Sequence, residues 1–155
     1  MKDLVEKAIA ATRESKHIEF KSSFDPTSAG DWCEITKDIV AMANSRGGVI
    51  VFGLDNSGQP IHSAIDKLIE IDPSEVINRL SKYVGATDLD FEIREVQKAN
   101  VRLIAFVIGA VVVPIVFQRP GTYDDGRGKQ KSAFSMGTIY FRHGAKSEPG
   151  RTEDL

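Results

Sequence analysis

A single cysteine stands among the 155 residues, so no disulfide can close within the chain, and such sparing use suits a reducing compartment. Neither sign of charge prevails: 20 Lys and Arg against 22 Asp and Glu leave a formal net charge of −2. A chain that bound nucleic acid through bulk charge would be strongly basic, so any such contact has to come from a local patch. Long apolar runs are missing as well. The longest uncharged stretch, residues 103–118, is interrupted by Gly109 and Pro114 and falls short of the ~20 apolar residues that span a bilayer. The amphipathic N-terminus lacks the apolar core and small-residue cleavage site of a signal peptide. These absences describe a soluble, cytoplasmic protein with no membrane partner.

What is present suffices for a folded domain. The 41% hydrophobic content sits well above the disordered range. A chain of this length buries roughly 70% of its unfolded surface, so one domain over residues 1–155 is expected. Helical spacing marks residues 2–13, and His17–Lys21 alternates as a half-buried strand, with Ile18 and Phe20 on one face and Glu19 and Lys21 on the other. Asp31 is placed to cap a helix carrying Trp32, Ile35, Ile39, Val40, Met42 and Ala43, which ends at Gly47-Gly48. Residues 49–54 are apolar on both faces and read as a central strand, followed by a turn at 55–58. Asp72 and Pro73 open a helix to Tyr83. Residues 91–96 and 102–108 form an antiparallel pair turning near Ala99-Asn100, and residues 137–142 give a last strand. Strands interleaved with about three helices define an α/β (α+β) domain on one mixed sheet.

Residues 118–136 read as a long connection without regular structure, a kind that is either functional or a solvated loop. Between Arg119 and Lys146 six cations face only Asp124 and Asp125, a local +4 in an otherwise acidic chain. Arg127, Lys129, Lys131, Arg142 and Lys146 are the candidate phosphate contacts.

The candidate chemistry lies in Glu14, Glu19, Lys21 and Asp55. Glu19 and Lys21 share a strand face, Glu14 precedes that strand, and Asp55 leaves the end of the central strand. Carboxylates so placed suit Mg²⁺ or Mn²⁺, hard ions that favour oxygen and activate water against a phosphodiester, with Lys21 offsetting charge on the phosphate. The residue pattern alone most often describes a solvated, salt-bridged face. Other chemistries are excluded. Gly47-Gly48 follows a helix and precedes a strand, the reverse of a phosphate cradle, and no P-loop motif exists. One cysteine with scattered His17, His62 and His143 lacks zinc-site spacing. Ser135 lacks the first glycine of a nucleophile elbow.

Three segments together carry a family resemblance. Glu14-Ser-Lys-His-Ile-Glu19-Phe-Lys21 follows the pattern E-S-x-x-x-E-F-K. The helix ending Ala41-Met-Ala-Asn44-Ser-Arg-Gly47-Gly48 leads to a strand ending Gly53-Leu-Asp55, and Tyr140-Phe-Arg142-His-Gly144 resembles a closing Y-x-R-x-G strand. The combination resembles the Schlafen AlbA_2 family over residues 10–147. The resemblance implies a divergent Alba-like domain associated with nucleic-acid binding. Related animal domains are metal-dependent endoribonucleases acting on tRNA and rRNA through three acids, which here correspond to Glu14, Glu19 and Asp55. Many members carry a second acid where this chain has Asn56.

On this reading the chain is a nucleic-acid-binding domain, with RNA ahead of DNA, and a candidate Mg²⁺- or Mn²⁺-dependent endoribonuclease. The alternative is a non-catalytic regulatory module or an accessory domain of a defence system. Animal cores pair two such lobes, so a homodimer is expected here. Thr152-Glu-Asp154 resembles the start of a helix that continues beyond the sequence.

Overall fold

Alternation along Gly48–Phe52 (β2) sends Val49 and Val51 into one apolar cluster and Ile50 and Phe52 into another, so this strand is buried on both faces. The computed structural model describes residues 3–62 and 65–155. Beside β2 lies the parallel strand Ile18–Lys21 (β1), with Ile18 opposite Val49. On its other side runs Val101–Ile108 (β4), antiparallel, which in turn pairs with Phe91–Lys98 (β3). The sheet order is therefore β1-β2-β4-β3. Ala99 and Asn100, both at positive φ, make the two-residue turn between β3 and β4 where the sequence places it.

Helix Leu4–Ala10 (α1) covers one face, packing Val5 and Ala8 against Ile18, Phe20, Val49, Val51, Leu103 and Ala105. It is shorter than the 2–13 span expected, since its chain leaves the helix at Ala11 in extended geometry; residue 2 lies outside the described residues. The other face is covered by Ala29–Asn44 (α2) and Pro73–Val84 (α4), whose Ile35, Ile39, Val76 and Leu80 meet Ile50, Phe52, Ile104 and Phe106. Ser28 rather than Asp31 caps α2, accepting a hydrogen bond from Asp31 N at 3.1 Å. Asp31 instead sits in the first turn and accepts from Asp25 N at 2.8 Å. A short helix, Asp66–Ile69 (α3), is additional, so the described residues hold four α-helices.

The stretch expected as an irregular connection is instead a hairpin of Gly121–Asp124 (β5) and Gln130–Phe134 (β6). Its apolar residues are few but anchored far away. Phe134 stacks on Phe117 at 3.8 Å between centroids, and Ala133 joins the main core. The strand expected over 137–142 starts later, at Tyr140, because Gly137 turns the chain at φ 80°; Tyr140–His143 (β7) pairs with Lys146–Pro149 (β8). This pair and β5–β6 form two small sheets beside the four-stranded one, in place of the single mixed sheet expected. At Thr152–Asp154 the chain makes one 3-10 turn. Among the described residues no helix is long and apolar enough to cross a membrane.

Candidate nucleic-acid interface and buried charge network

Period two on β1 decides where the sequence-identified acids go. With Ile18 and Phe20 committed to the α1 side, Glu19 and Lys21 face α2, and that face is covered rather than open to solvent. Glu19 Oε1 pairs with Arg142 Nη1 at 3.2 Å. The Arg142 side chain is 0% exposed, and each of its three nitrogens is engaged: Nη2 to Ser15 O at 2.8 Å, Nε to Lys16 O at 3.2 Å, and Nη1 also to Ser147 Oγ at 3.2 Å. Ser147 passes the connection on, donating to Asp38 Oδ1 at 2.6 Å. The second oxygen of Asp38 holds Lys21 Nζ at 3.0 Å. Burial pulls the Arg142 guanidinium below its ordinary value, while the negative charges of Asp38 and Glu14 pull it back up. Glu14 itself accepts from Phe20 N at 3.0 Å, pinning the approach to β1.

The structure thus brings Glu14, Glu19 and Lys21 to one cluster, and separates Asp55 from it. Asp55 is exposed, and its Oδ1 accepts from Ser57 N at 2.8 Å and Gln59 N at 3.0 Å, building the turn after β2. Nor do the acids suit the Mg²⁺ or Mn²⁺ that the family implies. Glu19 is taken by Arg142, Glu14 by a backbone amide and Asp55 by its own turn. Among the described residues no group of three or more His, Cys, Asp or Glu side chains is placed to hold a metal ion. A hard cation needs several oxygens free to converge at 2.0–2.6 Å.

Arg142 requires a correction. Expected among the surface phosphate contacts, it is a core residue, because β7 packs against α2 and sets the guanidinium against Glu19 and the carbonyls of Ser15 and Lys16. Arg127, Lys129, Lys131 and Lys146 are exposed. The first three stand on the β5–β6 hairpin, whose tip is shaped by its two acids. Asp125 Oδ1 accepts from Arg127 N at 2.8 Å and Lys129 N at 3.2 Å, and Asp124 Oδ1 accepts from Gly126 N at 2.9 Å. Those carboxylates are occupied with backbone amides, and the cationic side chains project from the turn. The hairpin rests on α2 through Tyr123, which donates to Glu34 Oε2 at 2.7 Å. That bond and partial burial push the Tyr123 phenol up to about 12. Lys146 stands apart, at the start of β8.

Asp38, Ser147 and Glu34 were missed by reading the sequence. Asp38 left a usable signal: it lies three residues after Ile35 and four before Met42, on the apolar stripe of α2. A carboxylate at such a position demands a buried partner. Asn44, in the A-x-A-N segment, also has a definite task. Its amide brackets two distant segments, accepting from Ile115 N at 2.8 Å and donating to Ile115 O at 3.1 Å and Tyr140 O at 2.9 Å.

A mixed sheet with helices on both faces, a sealed charge network at one edge and a basic hairpin beside it defines the class of domain. The family model described as Schlafen, AlbA_2 matches residues 14–151, and the chain belongs to this family. Among solved structures, the DIP2311 protein from Corynebacterium diphtheriae is similar in fold, with a TM-score of 0.57 at 15% identity. The match covers 95% of this chain and 30% of that protein, so the chain spans under a third of its length. No curated protein matches the chain.

Proposed function

We propose that the domain binds nucleic acid through the β5–β6 hairpin, with RNA as the first ligand class and the phosphate backbone as the element contacted. The observation that carries this reading is the exposed tip, where Arg127, Lys129 and Lys131 project while Asp124 and Asp125 are tied to backbone amides. Family membership supports the same ligand class. Non-specific phosphate contact of this kind is driven by counterion release and needs no base recognition.

Fluorescence anisotropy with tRNA, single-stranded RNA and single-stranded DNA tests the proposal across a salt series. Replacing all three cations by alanine is expected to weaken binding to every sequence and to flatten the log–log salt slope by roughly 2, at about 0.7 per phosphate on a single strand. A slope identical to wild type would remove the hairpin from the interface.

Endoribonuclease action is the second reading, favoured by the gathering of Glu14, Glu19 and Lys21 at one edge of the sheet. It requires those acids to exchange their present partners for a metal and is tested on the same RNA with Mg²⁺, Mn²⁺ or EDTA. Metal-dependent cleavage abolished in a Glu19→Gln variant that keeps the wild-type melting temperature would establish it. A homodimer presenting two hairpins to one groove is a further part of the proposal, and a monomeric mass by light scattering would exclude it.

A further inference from the structure

We propose that Arg142 is the resident cation of the acidic cluster, so that the charge a divalent ion would supply is already built into the chain. Three carboxylates, Glu14, Glu19 and Asp38, surround one guanidinium, by direct pairing in Glu19, through Ser147 in Asp38 and by through-space attraction in Glu14 and Asp38. With Lys21 on Asp38, the cluster holds two cations against three acids; of the two cations only Lys21 reaches solvent, its side chain 32% exposed against 0% for Arg142.

Two features separate this arrangement from a metal site awaiting its ion. First, the guanidinium is fixed from all sides. Besides Glu19 and Ser147 it satisfies the carbonyls of Ser15 and Lys16, while the Arg142 backbone amide donates to the buried Ser45 hydroxyl at 2.9 Å. Swinging it out to admit an ion would strand two carbonyls and a buried carboxylate at once. Second, the cluster buries nothing that waits for an ion: among the described residues no fully buried side-chain nitrogen or oxygen lacks a partner. Arginine suits the post because it stays charged when desolvated and presents its donors in a planar fork.

The test needs no nucleic acid, so it stands or falls separately from the hairpin interface. Mn²⁺ titration followed by electron paramagnetic resonance and by thermal unfolding is expected to show no stoichiometric ion on the wild-type chain. Its melting temperature should be the same in EDTA and in millimolar Mn²⁺. Arg142→Met, by contrast, is expected to melt lower and to be raised by Mn²⁺, a gain that Glu19→Gln in the same chain removes. Arg142→Lys, which keeps the charge, is expected to fold without acquiring a metal response. One Mn²⁺ bound per wild-type chain and lost in Glu19→Gln would overturn the proposal. A folded Arg142→Met indifferent to Mn²⁺ would do so as well, and if that variant fails to fold the wild-type titration still decides.

Discussion

Asn44 shows how much a single amide can carry. It closes three hydrogen bonds to segments 71 and 96 residues away, holding Ile115 and the start of β7 against the end of α2. Asn44→Ala removes all three and leaves backbone groups of a half-buried seam unmatched. It is expected to cost about 2–3 kcal/mol, read as a lower urea midpoint at unchanged slope. Glycine at 58 has a comparable rigidity. Its φ of +75° and the Ala11 carbonyl, 2.4 Å from where a Cβ would sit, exclude any larger residue without a shift of the turn. The turn it completes is the one Asp55 organises, and this gives the G-x-D segment an architectural task.

At the scale of elements, the β5–β6 hairpin stands on α2 through one phenol. The folded value of Tyr123 is about 12 against about 10 unfolded, so its contribution is whole below pH ~10 and is lost as pH rises towards 12. An absorbance titration is expected to show one tyrosine ionising near 12, a step missing from Tyr123→Phe, and faster amide exchange along the hairpin in that variant. The hairpin also marks where the sequence stops being legible. The turn at Ala99-Asn100, the Asp72-Pro73 start of α4 and the alternation on β1 are local signals, and all three elements form where those residues place them. The hairpin depends on Tyr123 meeting Glu34, 89 residues distant, and on Phe134 stacking with Phe117, contacts that no local window contains. For the same reason Arg142 looked like a surface cation. Its partner Glu19 lies 123 residues earlier, and only the paired geometry shows the strand face between them to be closed. Glu14, Glu19 and Lys21 were readable as a group; Asp38, the acid that completes them, was readable only as an anomaly on an apolar stripe.

For the whole molecule, acid should be the weak side. Asp72 and Asp3 are held below their ordinary values by the backbone amides they cap, Asp154 by the Arg151 amide and His143, and Asp25 by the Thr27 hydroxyl and amide. Depressed carboxyls add stability that is complete above the unfolded value of about 3.9 and is lost as pH falls through the lower folded values. Unfolding free energy is therefore expected to decline gently below pH ~4, since solvent screens these surface carboxyls, and Asp72→Asn, which keeps an acceptor at the cap but cannot titrate, should shallow that limb. The charge network has a different bearing on how the molecule comes into being. Ser147 reaches back 109 residues to Asp38, and Arg142 reaches back 123 to Glu19. During synthesis Asp38 already has Lys21 as its counterion, but Glu19 travels without a cationic partner and stays wet until the β7–β8 hairpin has left the ribosome. Docking of β7 and β8 is then the event that dries the sheet edge, so a domain begun at its first strand can be closed only by nearly its last.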